Sequence, residues 1–445
     1  VRPHKNSINN YCYPENPEAG IDLFLEKLVQ ETEKEHEDIL EQADETDAMF
    51  GELYSWYLRN PEYRSRVQKL VQSAFAGKPK DIISQSVAKA LYGEVSPYSA
   101  TRLERFAACA FAHFLQYGMK LTERVEYEFK PMDMGNVMHE ALESFAEEVR
   151  KRGMKWTELT EQERNEIADR CLDNIVADYG NTVLKSSARN EYMIERTRRI
   201  LRRTVWALQK QLEQGEFQPE GFEVTFGGGR IDRVDIMEDQ NKVYVKVIDY
   251  KTGNTSFDLV YLYHGLQLQL MIYLDGALRV EQKKYPDKEI IPAGVFYYNI
   301  KDPMIQEKID ADVEAVSAGL MKELKMNGLV QADPELVYRM DSSLGSIPVA
   351  FNKDGSFRKN SSVADRTQFA VLGRYVRTKI EKIRSSILEG DAEVSPYELG
   401  KKNACTYCPY MTVCGFDRRL SGYEFRRLKN FSDEELWKAF DREAE

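Results

Sequence analysis

The sequence predicts an α/β fold, a mixed central sheet flanked by helices, with helical N-terminal and C-terminal extensions. Three observations predict it. The apolar residues recur at helical spacing up to "QLEQ" and then alternate from "GFEVTF" onward. Three strand-like segments follow one another across short turns, while a helix separates the third from a fourth. The segments before and after this block read as amphipathic helices.

At 445 residues and 42% hydrophobic content, the chain has room for two or three domains. It carries no apolar run of membrane-spanning length and no signal-peptide pattern at its start. It begins with valine, so it is expected to be part of a longer chain. A net charge of −11 argues against indiscriminate adhesion to nucleic acid but not against a local basic groove. Six cysteines without a secretory signal point to a reducing, cytoplasmic setting, where clustered cysteines are metal ligands rather than disulfides.

Residues 1–90 read as helices with acidic runs such as "ETEKEHEDILEQADETDAMF", a solvated helical surface in the simplest reading. A new segment opens at Val95–Gly118, where Ser96-Pro97 breaks the pattern and Ser99 or Thr101 can cap a helix carrying Leu103, Phe106, Ala107 and Ala110. In Met134–Val149, Val137, Met138, Ala141, Leu142 and Phe145 form one apolar helical face. Residues 157–214 continue as helix and include the basic piece "ERTRRILRRTVWALQK". "GFEVTF", "GRIDRVDIM", "KVYVKVIDYK" and "AGVFYYNI" are strands by alternation and by β-branched or aromatic content. Tyr261–Leu278 is an amphipathic helix between the third and fourth strands, and helices dominate again from Asp312. There is no internal repeat and no GxxxxGK[ST] loop, so no ATP engine is visible in this chain.

The second and third strands raise the chemical question. A hairpin turn centred between Gln240 and Asn241 pairs Ile236 with Val245, Val234 with Val247, and Asp232 with Asp249. Asp235 then points to the other face and reads as surface. Two carboxylates at roughly 5 Å repel by about 3 kcal/mol at an effective dielectric near 20. A purely structural sheet gains nothing from that pair, whereas a divalent cation such as Mg²⁺ or Mn²⁺ between them does. Lys251 shares the face of Asp249, where an ammonium can orient water or stabilise charge on a phosphate. By itself D-x-K reads as a surface ion pair at a strand end, and its weight comes from the opposed Asp232.

With these residues in hand, the chain resembles the RecB-type nucleases of the PD-(D/E)XK superfamily. "GRID", ending in Asp232, is similar to that family's second motif and "DYKTG", Asp249–Gly253, to its third. His139 in "GNVMHEAL" fits the family's histidine on a helix before the sheet, although a lone histidine there reads as a satisfied helix residue. Gln269 and Tyr273, one helical turn apart, fit its Q-x-x-x-Y motif. The resemblance implies a restriction-endonuclease-like core. It implies that His139, Asp232, Asp249 and the Tyr250 carbonyl hold the metal, with Lys251, Gln269 and Tyr273 completing the catalytic set.

"CTYCPYMTVC" spaces Cys405, Cys408 and Cys414, and Cys109 lies far upstream in "LERFAACAFAHF". Residue types alone leave Zn²⁺ and an iron–sulfur cluster open. One cysteine before the core and three after it resembles the iron–sulfur nucleases related to RecB. That implies a 4Fe–4S cluster on Cys109, Cys405, Cys408 and Cys414, stapling the domain ends and resisting opening through loop-closure entropy. Cys12 and Cys171 are left as plain thiols.

Residues 95–420 are similar to the C-terminal nuclease region of the AddB family, through "SATRLERFAACAFAHFLQYGMKL", "GRIDRVD", "VIDYKTG", "YHGLQLQLMIYLDGAL" and "CPYMTVCGFD". One departure is the link of a glycine or two before "GRIDRVD", where relatives carry a longer insert. Either the hairpin is tight or residues are missing, and Glu223 is left without a role. The likeness implies a nuclease domain over 91–430, a helical segment over 1–90 belonging to a larger helicase-like body, and a helical tail over 431–445. It implies Mg²⁺-dependent phosphodiester hydrolysis in DNA unwound by a partner, AddA, at double-strand-break ends processed for recombinational repair, with cutting of the single strand ending 5′. Single-stranded DNA needs basic side chains and stacking aromatics. Arg198, Arg199, Arg202 and Arg203 make one candidate patch and Arg418, Arg419, Arg426 and Arg427 another, against the plain reading of solvated helix faces. A catalytically silent DNA-binding scaffold and a zinc-stapled nuclease are the alternatives.

Overall fold

The computed structural model describes residues 45–74, 82–93, 99–122, 131–178, 187–227, 229–305, 312–419 and 422–444. Readings that fall on residues 1–44, Cys12 included, lie outside the described residues. Helices α1 (Glu45–Arg59) and α2 (Pro61–Ala74) pack Leu53, Tyr57 and Val67 into a small core of their own. α3 (Gln85–Tyr92) and α4 (Ala100–Ala108) are capped by Ser84 and Ser99. The short α5 (Ala110–His113) follows, then α6 (Pro131–Lys151), α7 (Glu161–Asp178) and α8 (Ala188–Glu213).

The main sheet has six strands in sequential order: β1 (Gln218–Phe226), β2 (Gly229–Asp239), β3 (Lys242–Lys251), β4 (Glu289–Asn299), β5 (Asn327–Gln331) and β6 (Val363–Ala364). β3–β4 and β5–β6 are parallel and the other pairs antiparallel, so the sheet is mixed. In the β2–β3 hairpin Ile236 faces Val245 and Val234 faces Val247, the register that two apolar pairs on one face dictate.

Helices cover both faces, giving two cores. Val234, Ile236, Val243, Val245 and Val247 pack toward α10 (Gln269–Lys284) and α13 (Arg366–Glu389). Met237, Ile248 and Tyr250 pack toward α6, α7 and α8. The second covering corrects the reading of Asp235 as surface. Its side chain is 0% exposed, with Arg233 Nε at 2.5 Å and Lys246 Nζ at 2.9 Å. Burial opposes its ionisation, but the two cations outweigh burial and hold its carboxyl below the usual range. Alternation placed Asp235 on the correct face. What it could not supply was the helical layer over that face.

The expected helix Tyr261–Leu278 is two helices, α9 (Leu259–Tyr263) and α10, separated at His264–Leu268. Gly265 turns the chain with φ +78°, a conformation glycine adopts without steric cost. After β4 the chain is less helical than expected. α11 (Val313–Glu323) leads into β5, and α12 (Pro334–Met340) is followed by an irregular stretch before β6. A small sheet of β7 (Tyr397–Leu399), β8 (Lys402–Asn403) and β9 (Arg426–Arg427) frames α14 (Met411–Cys414). α15 (Asp433–Ala444) buries Leu436 and Phe440 against α13 in the core that also holds α10, each contributing about 1.5–3 kcal/mol. Among the described residues no helix is long and apolar enough to cross a membrane.

Candidate functional site

The site forms where β2 and β3 leave their ladder. The last paired residues are Arg233 and Ile248, so Asp232 and Asp249 come next across the hairpin. Both are buried, at 7% and 1% exposure. Asp232 Oδ2 accepts a 2.7 Å hydrogen bond from the Tyr250 backbone N–H, which fixes the carboxylate on the strand opposite. Asp249 Oδ2 lies 2.6 Å from Lys251 Nζ. Burial, then the charge of Asp232, push the Asp249 carboxyl up to about 7, against the pull of Lys251 and His139.

α6 brings His139 to the same place. Its Nδ1 is 3.3 Å from Asp232 Oδ2 and 3.7 Å from Glu223 Oε1, and its Nε2 donates to the Tyr250 carbonyl at 3.1 Å. Burial disfavours the imidazolium, but hydrogen bonds to Asp232 and Glu223 overcome it and raise His139 to about 10. α10 supplies the remaining two residues. Lys251 Nζ donates to Gln269 Oε1 at 2.8 Å, and Gln269 Nε2 donates to Tyr273 Oη at 2.9 Å. The structure therefore gathers His139, Asp232, Asp249, the Tyr250 carbonyl, Lys251, Gln269 and Tyr273 at one end of the sheet.

Glu223, left without a role in the sequence, belongs to this group. The β1–β2 pairs Phe222–Arg233 and Val224–Ile231 bracket it opposite Asp232, so three carboxylates form a row across three strands. Glu223 holds φ +48°, a strained value for a non-glycine residue, and its Oε2 meets Arg230 Nε at 2.5 Å. Among the described residues, His139, Glu223 and Asp232 are the group whose ligand atoms lie within 4.8 Å of one another. An oxygen-rich set with one imidazole fits a hard divalent cation. A second residue that sequence reading missed is Glu104 on α4. Its Oε1 accepts from the backbone N–H groups of Leu268 and Gln269 at 2.7 and 2.9 Å.

Cys109, Cys405, Cys408 and Cys414 line one small apolar cavity with Phe111, Tyr410 and Phe416. Burial and then the neighbouring Cys109, Cys408 and Cys414 raise Cys405 to about 11. Thiols that penalise one another's ionisation in this way suit a multivalent cationic group. Among the described residues no three of them lie within 4.8 Å of one another. A zinc tetrahedron with bonds of about 2.3 Å needs sulfurs roughly 3.8 Å apart. Cys171 is buried among α6 and α7 side chains, away from this cavity.

The first arginine patch is largely self-neutralised. Arg198 meets Asp173 at 2.7 Å, Arg199 meets Asp302 at 2.6 Å, Arg202 pairs with Asp169, and Arg203 is 3.8 Å from Asp302. In the second patch Arg426 donates to the Ala107 carbonyl, Arg419 meets Asp417 at 2.7 Å, Arg427 lies 3.7 Å from Glu398, and Arg418 stacks on Phe425.

The sequence profile of the PD-(D/E)XK nuclease superfamily matches residues 97–415. Over 90% of its length the chain is 41% identical to an ATP-dependent helicase/deoxyribonuclease subunit of Lachnoclostridium phytofermentans, covering 36% of that protein. It is 34% identical, over 90% of its length, to the helicase/deoxyribonuclease subunit of the same name in a Thermoanaerobacter species, covering 37% of it. For the namesake in Clostridium acetobutylicum the values are 33%, 90% and 36%. The chain thus spans a little over a third of the length of these curated relatives.

Proposed function

The chain belongs to the PD-(D/E)XK nuclease superfamily, and we propose that it is the nuclease-bearing part of an AddB-type subunit of an ATP-dependent helicase–nuclease that processes double-strand-break ends. In this reading residues 91–430 are the nuclease domain, residues 1–90 belong to a larger helicase-like body, and the partner is the AddA helicase subunit. The observation that carries it is the opposition of Asp232 and Asp249 beside Lys251 and His139.

Asp232, Asp249, His139 and the Tyr250 carbonyl would hold Mg²⁺, with Glu223 within reach of the same ion. A bound Mg²⁺ polarises the scissile phosphate and lowers the pKa of a water. Lys251, held between Asp249 and Gln269, presents its ammonium where charge develops on the phosphate. Tyr273 keeps Gln269 from rotating away. The substrate is the single strand ending 5′ in the unwound duplex. Cys109, Cys405, Cys408 and Cys414 would bind a 4Fe–4S cluster that ties the start of the domain to its end.

The test is release of short fragments from end-labelled single-stranded DNA by the purified protein, alone and with its helicase subunit, in Mg²⁺ and in chelator. Fragments in Mg²⁺ only are expected. Absence of fragments in every sample would leave the fold as a DNA-binding scaffold. Brown absorbance and bound iron after anaerobic purification are expected at the cysteines, and a colourless, zinc-loaded protein would overturn that assignment.

A further inference from the structure

A helix leaves its first backbone N–H groups without intrahelical partners, and a side chain at the N-cap normally accepts from them. At the start of α10 the N-cap position is Leu268, whose side chain can accept nothing. The acceptor comes instead from Glu104, on α4. Its Oε1 takes both the Leu268 N–H and the Gln269 N–H, at 2.7 and 2.9 Å. A carboxylate there is also favoured by the positive end of the helix dipole. The chain reaches this point through a turn at His264–Leu268, where the Gly265 and Leu266 N–H groups bond to the Leu262 and Tyr261 carbonyls, rather than as continuous helix.

The residue whose amide is held is the residue that holds the lysine. Gln269 Oε1 accepts from Lys251 Nζ at 2.8 Å, and Lys251 otherwise meets Asp249 and lies 5.4 Å from the Tyr297 ring centre. Glu104 is itself on a fixed support. α4 buries Leu103, Phe106 and Ala107 in the core. Its neighbour Arg105 reaches Cys408 Sγ at 4.0 Å and stacks over Tyr410, and Arg426 donates to the Ala107 carbonyl. Cys109 closes the helix as its C-cap. α4 therefore runs from the cysteine cavity to the start of α10.

Resting on the nuclease reading of this site, we infer that Glu104 is a positioning residue for the cleavage reaction, setting Lys251 through Gln269. It touches neither substrate nor metal in this scheme. Its carboxylate oxygen registers α10 so that Gln269 keeps the lysine ammonium beside Asp249. Because the work is done by an acceptor oxygen, glutamine at this position retains the function and alanine does not.

The experiment compares the intact complex with Glu104→Ala, Glu104→Gln, Gln269→Ala, Glu104→Ala/Gln269→Ala and Lys251→Ala variants. It reads single-turnover cleavage of end-labelled single-stranded DNA in Mg²⁺, and DNA affinity in a non-supporting cation. Glu104→Ala should slow cleavage by about 10- to 100-fold, the scale of a small misplacement of a catalytic group, at unchanged DNA affinity. Glu104→Gln should recover most of that rate. The double variant should be no slower than the slower of its two single variants, since both act on one lysine. Parental cleavage by Glu104→Ala, additive losses in the double variant, or a loss that Glu104→Gln does not restore would overturn the inference. An inactive parent, or a Lys251→Ala variant as fast as the parent, would instead overturn the nuclease reading itself.

Discussion

Asp232 Oδ2 accepts the Tyr250 backbone N–H at 2.7 Å, so a side chain continues the β2–β3 hydrogen bonding one residue past the last ladder pair. The same oxygen lies 3.3 Å from His139 Nδ1. Asp232 is thus both a fastener of the hairpin and a member of the acidic row. The two duties separate by substitution. Asp232→Asn keeps an acceptor for Tyr250 and should melt near the parent while losing at least about 100-fold in cleavage. Asp232→Ala should lose the cleavage and also about 1.5–3 kcal/mol of stability, the range for a hydrogen bond to a charged group. Thermal melts and single-turnover rates on the same samples check this.

On the opposite face of β2, Asp235 pairs with both Arg233 and Lys246 with no exposure to solvent. Removing one partner from a buried ion group leaves uncompensated charge. Asp235→Ala should therefore destabilise the domain by about 3–5 kcal/mol, read from the urea midpoint. Because Asp235 lies in the other core from the acidic row, any protein that still folds should keep its affinity for Mg²⁺.

The cysteine cavity joins α5 to the α14 segment. Cys109→Ala or Cys405→Ala should open both ends of the domain to limited proteolysis at temperatures where the parent is protected, because the loop they close is long. Unchanged protection in both variants would contradict a stapling role.

His113 has 0% exposure and accepts from Arg102 Nε at 3.2 Å. Burial, then Arg102 and Arg105, hold it neutral down to about 3. The unfolded chain takes up the proton near 6.5 and the folded chain does not, so stability falls as pH drops through that window. Between about pH 6.5 and 5 the loss attributable to this one proton is about 2 kcal/mol. Urea titrations of the parent and His113→Gln should show the parent losing more stability over that interval.

The hairpin register was legible because period-two alternation and two apolar pairs admit one alignment, and that alignment sets Asp232 against Asp249. Gln269 and Tyr273 were legible as one turn of helix. Asp235 was misplaced because a strand records which face a residue takes but not what packs on it. The break in front of Gln269 hid in an apolar run that one glycine divides. Glu223 was out of reach because its place in the row depends on the β1–β2 register beside an irregular Pro219–Gly221 step. Glu104 gave no local signal at all, since the amides it holds lie 164 and 165 residues further on.

If the face shared by Asp232, Asp249 and Lys251 is a Mg²⁺-dependent phosphodiesterase site, its chemistry must disappear with the Asp249 carboxylate. The most direct measurement is fragment release from end-labelled single-stranded DNA in saturating Mg²⁺ by the parent and by Asp249→Ala. Fragments are expected from the parent and none above background from the variant. Equal cleavage by the two would contradict a metal site on this face.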